Sequence, residues 1–110
     1  MSTVTTHVLD TARGTPAAGV AVRLESVSGA DQEIGRASTD ADGRVREIGP
    51  DRLPPGAYRL IFDTAAYFAQ QRTTGFFPEV AISFTVDGDG QHYHVPLLLS
   101  PFGYATYRGS

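Results

Sequence analysis

Apolar side chains recur at every second position over much of the chain. Val20, Val22 and Leu24 alternate with Ala21, Arg23 and Glu25, and Val80, Ile82, Phe84 and Val86 alternate with Ala81, Ser83 and Thr85. A period of two belongs to strands with one buried face. Turn-forming clusters punctuate these runs: Arg13-Gly14-Thr15-Pro16, Asp40-Ala41-Asp42-Gly43, Pro54-Pro55-Gly56, Asp87-Gly88-Asp89-Gly90 and Ser100-Pro101-Phe102-Gly103. The pattern predicts strands near residues 4–11, 20–27, 33–39, 44–48, 57–63, 80–86, 92–99 and 104–108, enough for two packed sheets. Between the fifth and sixth strands, Thr64 is placed to N-cap a short helix carrying Ala65, Ala66, Tyr67, Phe68 and Ala69.

The 110 residues contain no internal repeat, low-complexity tract or linker. A chain this long suits one domain with one core, spanning 1–110, and buries roughly 65% of its unfolded surface. With no cysteine there is neither a disulfide framework nor a thiolate nucleophile, which suits a reducing compartment. The net charge of −3 and pI near 5.4 give no electrostatic reason to expect nucleic acid or an anionic membrane as partner. The start, Met1 to His7, has no basic segment leading into an apolar run, and no stretch approaches the length of a membrane span. A cytoplasmic protein is expected. Lysine is absent, so every fixed cation is an arginine, whose planar fork suits bidentate recognition of planar anions.

Three histidines, His7, His92 and His94, are the side chains best suited to proton transfer near neutral pH. On the strand 92–99, Tyr93, Val95, Leu97 and Leu99 form an apolar face, which throws His92 and His94 together onto the other. On the first strand, Val4, Thr6 and Val8 oppose Thr5, His7 and Leu9, so His7 also leaves the core side. The turn Ser100-Pro101-Phe102-Gly103 predicts a hairpin that sets Leu99 opposite Tyr104 and Leu97 opposite Thr106. Continued one step, that register makes Tyr107 a diagonal neighbour of His94.

His-x-His on a strand with a distant third histidine is also the donor set of an open zinc centre, although no carboxylate motif accompanies it here. The two Asp-x-Asp-Gly stretches lack the spacing and closing glutamate of an EF-hand and read as hairpin turns. Neither a Gly-rich phosphate loop before a helix nor a GxSxG elbow is present, so nucleotide binding and serine-hydrolase chemistry lack support.

Gly14 to Leu24, Thr39 to Gly43 and Leu53 to Tyr58 resemble many transthyretin-like sandwich modules, which include carriers, adhesin stalks and accessory domains of peptidases. That half of the chain bears on fold more than on chemistry. Five further segments resemble the 5-hydroxyisourate hydrolases, or transthyretin-related proteins: Thr6-His7-Val8-Leu9-Asp10, Thr39 to Arg44, Phe76-Phe77-Pro78-Glu79, His92 to Ser100 and the terminal Tyr107-Arg108-Gly109-Ser110. The likeness spans the whole chain. Its terminal tetrapeptide is the specific element, because transthyretin carriers lack it and have replaced the histidines at the positions of His7 and His94.

This resemblance implies an all-β, transthyretin/prealbumin-like sandwich of two four-stranded sheets with one short helix. It further implies a homotetramer, a dimer of dimers, with active-site grooves at the dimer–dimer interface. Such a groove gives outward histidines a water-poor setting, since an outer sheet face becomes a pocket only when another subunit covers it. The implied reaction is hydrolysis of 5-hydroxyisourate between N1 and C6 to 2-oxo-4-hydroxy-4-carboxy-5-ureidoimidazoline, with no cofactor and no metal. By the same resemblance His7 and His94 polarise water and shuttle its proton, Arg44 holds the developing charge, and Tyr107 and Ser110 bind substrate or water. His92 is a supporting group. Arg46, two residues beyond Arg44, competes for its role by proximity alone, and Arg108 is expected to anchor the tail or meet solvent. The competing readings are a carrier of a small aromatic ligand in the same groove and a structural accessory domain.

Overall fold

The structure is a computed structural model and describes residues 2–88 and 90–109. Strands β1 (Val4–Asp10), β2 (Thr15–Pro16), β3 (Ala21–Ser26), β4 (Gln32–Ser38), β5 (Arg44–Val45) and β6 (Gly56–Phe62) precede helix α1 (Thr64–Gln70). Strands β7 (Val80–Val86), β8 (Tyr93–Ser100) and β9 (Gly103–Thr106) follow it. One sheet has the order β4-β3-β6-β7, antiparallel throughout. The other runs β2-β1-β8-β9, with β5 also paired to β1.

Strand β1 is paired to β8 in parallel along its whole length, so β2 and β5 must share its opposite edge. Four strand positions are thus filled by five pieces, and the expected pair of four-stranded sheets differs only in that shared edge. The expected strand 44–48 shrinks to Arg44–Val45 because Arg46 turns its head to Asp40 and the Ile48 N–H donates to Ser2 Oγ, away from the ladder. The expected strand 104–108 ends at Thr106, although an isolated bridge between His94 and Gly109 continues the pairing.

Between the sheets lies one cluster of buried residues that includes Val4, Val8, Leu24, Leu60, Phe62, Val80, Leu97 and Leu99. On β1 the alternation of buried and half-buried positions is unbroken, which fixes Thr5, His7 and Leu9 on the outer face. A register slip by one residue would carry the histidine into the apolar core, so register here is strongly specified.

The helix begins one residue earlier than expected. Its N-cap is Asp63, whose carboxylate accepts from the Ala66 N–H at 3.1 Å, whereas Thr64 is fully buried and donates to the Phe77 carbonyl. At the other end the Arg72 N–H reaches the Ala69 carbonyl and the Thr73 N–H the Phe68 carbonyl, closing a Schellman turn with Arg72 at φ 53°. Tyr67 and Phe68 seal one end of the core, and Tyr67 Oη donates to buried Asp10 at 2.7 Å. Among the described residues no helix is long and apolar enough to cross a membrane.

Candidate active site

Strand β1 assembles the site because it lies between β5 and β8. His7 pairs with Arg44 on one side and Pro96 on the other, while Thr5 pairs with His94. Side chains directly across a sheet share a face. The outer face therefore carries Arg44 beside His7 in one row and Thr5 beside His94 in the next, with His92 two residues before His94. Thr5, Thr6, Arg44, Val45, Arg46, His92 and His94 line a shallow concavity of about 180 Å³. A larger cleft of about 500 Å³, walled by Thr3, Leu53, Pro55 and Tyr93 among others, has no imidazole in its lining.

Each imidazole is held differently. His7 Nε2 lies 2.8 Å from the Asp42 carbonyl oxygen. A carbonyl only accepts, so Nε2 carries the proton and neutral His7 keeps its lone pair on Nδ1. His94 Nδ1 lies 2.8 Å from Thr5 Oγ1, and His92 Nε2 lies 3.0 Å from the same oxygen. Burial first, then the positive charge of Arg44 and the neighbouring His92 and His7, hold the His94 imidazole below the ordinary histidine pKa; a contact to the Thr5 backbone opposes them in part. His94 is thus neutral and able to accept a proton at neutral pH. No group of three or more His, Cys, Asp or Glu side chains among the described residues is arranged to hold a metal ion. The nitrogens of the His-x-His pair converge on a hydroxyl instead.

Local turn chemistry delivers Arg44. Asp40 Oδ1 accepts from the backbone N–H groups of Asp42 and Arg44, and the Val8 N–H donates to the Gly43 carbonyl at 2.7 Å. Gly43 sits at φ 77°, and a Cβ there would lie 2.4 Å from the Val8 carbonyl oxygen, so only glycine lets this turn abut β1. Arg46 and Asp40 form an exposed ion pair at 3.1 Å. The Arg44 guanidinium has no hydrogen-bond or ion-pair partner among the described residues and faces the concavity, so of the two arginines it is the one available to a ligand.

The tail is seated partly on His94. The Gly109 N–H donates to the His94 carbonyl at 2.8 Å, and a Cβ on Gly109 would come within 2.6 Å of His94 Cδ2. The expected register holds at Leu97–Thr106 and Leu99–Tyr104. Beyond Thr106 the continuous ladder stops, but the His94–Gly109 bridge keeps the same register, which leaves Tyr107 opposite Pro96 and diagonal to His94 as expected; Tyr107 also lines a cleft with Ile82, Phe84, Tyr93 and Val95. Neither Tyr107 nor His7 lines the shallow concavity itself, so the site extends beyond it along the outer face. Arg108 anchors the tail, its guanidinium 4.7 Å over the Tyr93 ring and donating to Gln91 Oε1. Ser110 lies outside the described residues.

Three contributors escaped the sequence reading. Thr5 shares the outer face with His7, but its role depends on the parallel pairing of β1 with β8, which no local pattern encodes. Asp40 reads as an ordinary turn residue until its carboxylate is seen to hold both the turn and Arg46. Gly109 matters through a close approach to a ring 15 positions away in sequence.

A sandwich with imidazoles and an unpaired guanidinium on an outer sheet face belongs to the class in which a transthyretin-like fold presents polar chemistry rather than a purely apolar surface. The family model of the HIUase/Transthyretin family matches residues 4–109, and the chain belongs to that family. It is 46% identical over 115 residues to the 5-hydroxyisourate hydrolase of Caulobacter vibrioides, with 100% of each chain covered. Its structure superposes on that of Klebsiella pneumoniae 5-hydroxyisourate hydrolase with a TM-score of 0.87 at 37% identity, covering 97% of this chain and 98% of the other. It superposes on sea bream transthyretin in complex with thyroxine with a TM-score of 0.90 at 34% identity, covering 96% and 93%.

Proposed function

We propose that this chain is an enzyme that hydrolyses 5-hydroxyisourate, opening the six-membered ring between N1 and C6 to give 2-oxo-4-hydroxy-4-carboxy-5-ureidoimidazoline without a metal. The names of its relatives supply the substrate. The observation that carries the chemistry is the row of Arg44 and His7 set beside a partly desolvated, neutral His94 on one outer face.

In this scheme water adds to C6, an imidazole takes the water's proton, the N1–C6 bond breaks and N1 receives a proton. His7 Nδ1 and the His94 nitrogen turned away from Thr5 are the two lone pairs available as acceptors. Arg44 forks onto the oxyanion formed at C6. Tyr107, diagonal to His94 in the register of the β8–β9 pairing, and Ser110 contribute hydrogen bonds to substrate or water.

Ligand pockets commonly enclose about 300–1,000 Å³, so a concavity of about 180 Å³ is half a site. A second copy facing it completes the groove, and the assembly proposed is a homotetramer with sites at the dimer–dimer interface. Phe76 and Phe102, 69% and 71% exposed, are apolar surface that association would cover. The proposed compartment is the cytoplasm, on the strength of the cysteine-free sequence.

The test is product identity. With ¹³C-labelled substrate and catalytic amounts of protein, NMR should show the C6 carbonyl converted to a carboxylate faster than in buffer, equally with and without EDTA. A buffer-level rate together with tight thyroxine binding would replace the enzyme with a carrier, and loss of rate in EDTA would replace the metal-free mechanism.

A further inference from the structure

The scheme above leaves Thr5 without a task, although its hydroxyl stands between two imidazoles. Thr5 Oγ1 is 3.0 Å from His92 Nε2 and 2.8 Å from His94 Nδ1, and the two rings are nearly parallel, at 19°, with centroids 6.5 Å apart. A hydroxyl has one proton and two lone pairs. It donates to one ring while accepting from the other, so the tautomers of His92 and His94 are coupled through it.

Two arrangements satisfy both contacts. In the first, His94 Nδ1–H donates to Thr5, Thr5 donates to His92 Nε2, and His94 Nε2 presents a lone pair. In the second, the hydroxyl is reversed: His92 Nε2–H donates to Thr5, Thr5 donates to His94 Nδ1, and His94 Nε2 carries a proton. The first is a base and the second an acid.

We propose that Thr5 is a positioning and proton-relay residue of this hydrolysis, setting the tautomer of His94 and passing its Nδ1 proton to His92. The inference rests on the hydrolase reading of the same site. When His94 Nε2 takes the proton of the attacking water, the Nδ1 proton moves to Thr5 Oγ1 and the Thr5 proton moves to His92 Nε2. The positive charge then rests on His92. As the N1–C6 bond breaks, His94 Nε2–H gives its proton to N1 and the chain runs backwards, refilling Nδ1 from His92. All three groups return to their starting forms, with no charge left on Thr5.

The setting favours this direction of transfer. His92 is exposed, whereas His94 is half-buried and faces the fixed charge of Arg44 on β5 and the imidazole of His7 on β1, with Arg46 in the same wall. A proton held at His94 is opposed by burial and by Arg44. His92 lies farther out along the same face than His94.

The experiment reads tautomers and rates together in the full chain. In ¹⁵N-histidine-labelled wild type, His94 should be protonated on Nδ1 with a bare Nε2. Thr5→Val should leave a mixture of tautomers, lower kcat about 10- to 100-fold with little change in KM, and move the pH dependence of kcat. Thr5→Ser restores the hydroxyl and should recover the tautomer and most of the rate. His92→Ala should lower kcat to a similar degree, and combining it with Thr5→Val should add little, because both interrupt one chain. Should Thr5→Val fail to fold, Thr5→Ala is read in the same way. Wild-type spectra and kcat retained in the folded, hydroxyl-less variant overturn the relay. A wild-type protein that does not accelerate 5-hydroxyisourate hydrolysis overturns the hydrolase reading instead, while the spectra still decide whether Thr5 sets the tautomer.

Discussion

Replacing Arg44 by alanine, with Arg46→Ala beside it, separates a catalytic cation from a nearby structural one. Arg44 is half-buried, unpaired among the described residues and close enough to His94 to depress its pKa; Arg46 is spent on Asp40 at the surface. A hydrogen bond to a charged group contributes about 1.5–3 kcal/mol, and loss of one preorganised oxyanion donor costs about 10²–10³-fold in kcat. Since each 1.36 kcal/mol is tenfold, Arg44→Ala should lower kcat/KM by about 100-fold or more. Arg46→Ala removes a cation already paired with Asp40 and should stay within about threefold. Removing Arg44 also takes away one cause of the lowered His94 pKa, so the acidic limb of kcat/KM should move to higher pH in that variant only. The assay is ultraviolet decay of 5-hydroxyisourate across pH, with assembly state checked by light scattering. An Arg46→Ala loss larger than that of Arg44→Ala would refute the assignment, as would an Arg44→Ala loss below about tenfold with the assembly intact.

Three further outcomes follow from the packing. Gly109→Ala should displace the His94 ring and reduce kcat about 10- to 100-fold while leaving the melting temperature nearly unchanged, as activity assay and calorimetry will show. Tyr67→Phe removes a donor from the buried Asp10 carboxylate and should cost about 1–3 kcal/mol in urea unfolding, with no direct effect on the outer-face site. Arg72→Gly relieves the positive φ of the Schellman turn and should stabilise the fold by up to about 1 kcal/mol, seen as a higher urea midpoint at an unchanged slope.

Strand periodicity made the outer faces legible. Val4, Thr6 and Val8 go inward and His7 goes outward because a half-buried strand leaves no other choice, and the hairpin register at Ser100–Gly103 follows from its turn residues. The helix start was misplaced because Asp63 and Thr64 are both good caps, and only tertiary packing buries Thr64 and leaves Asp63 to cap. The rows Arg44–His7–Pro96 and Thr5–His94 were not legible, since they depend on β5 and β8 flanking β1 across large sequence separations. Tyr107 was expected diagonal to His94, and the in-phase His94–Gly109 bridge keeps the register that puts it there, although the unbroken ladder ends at Thr106, where the Thr106 hydroxyl turns to the Pro96 carbonyl and Arg108 is drawn onto Tyr93. Family resemblance named the residues. The structure shows how the first three, His7, Arg44 and His94, come to share one face.

The central claim is that this face hydrolyses 5-hydroxyisourate, and the rate of loss of freshly generated substrate tests it most directly. With purified wild-type protein the decay should accelerate in proportion to protein concentration, persist in EDTA, and fall toward the buffer rate in His94→Ala. Decay at the buffer rate at every protein concentration would contradict the account.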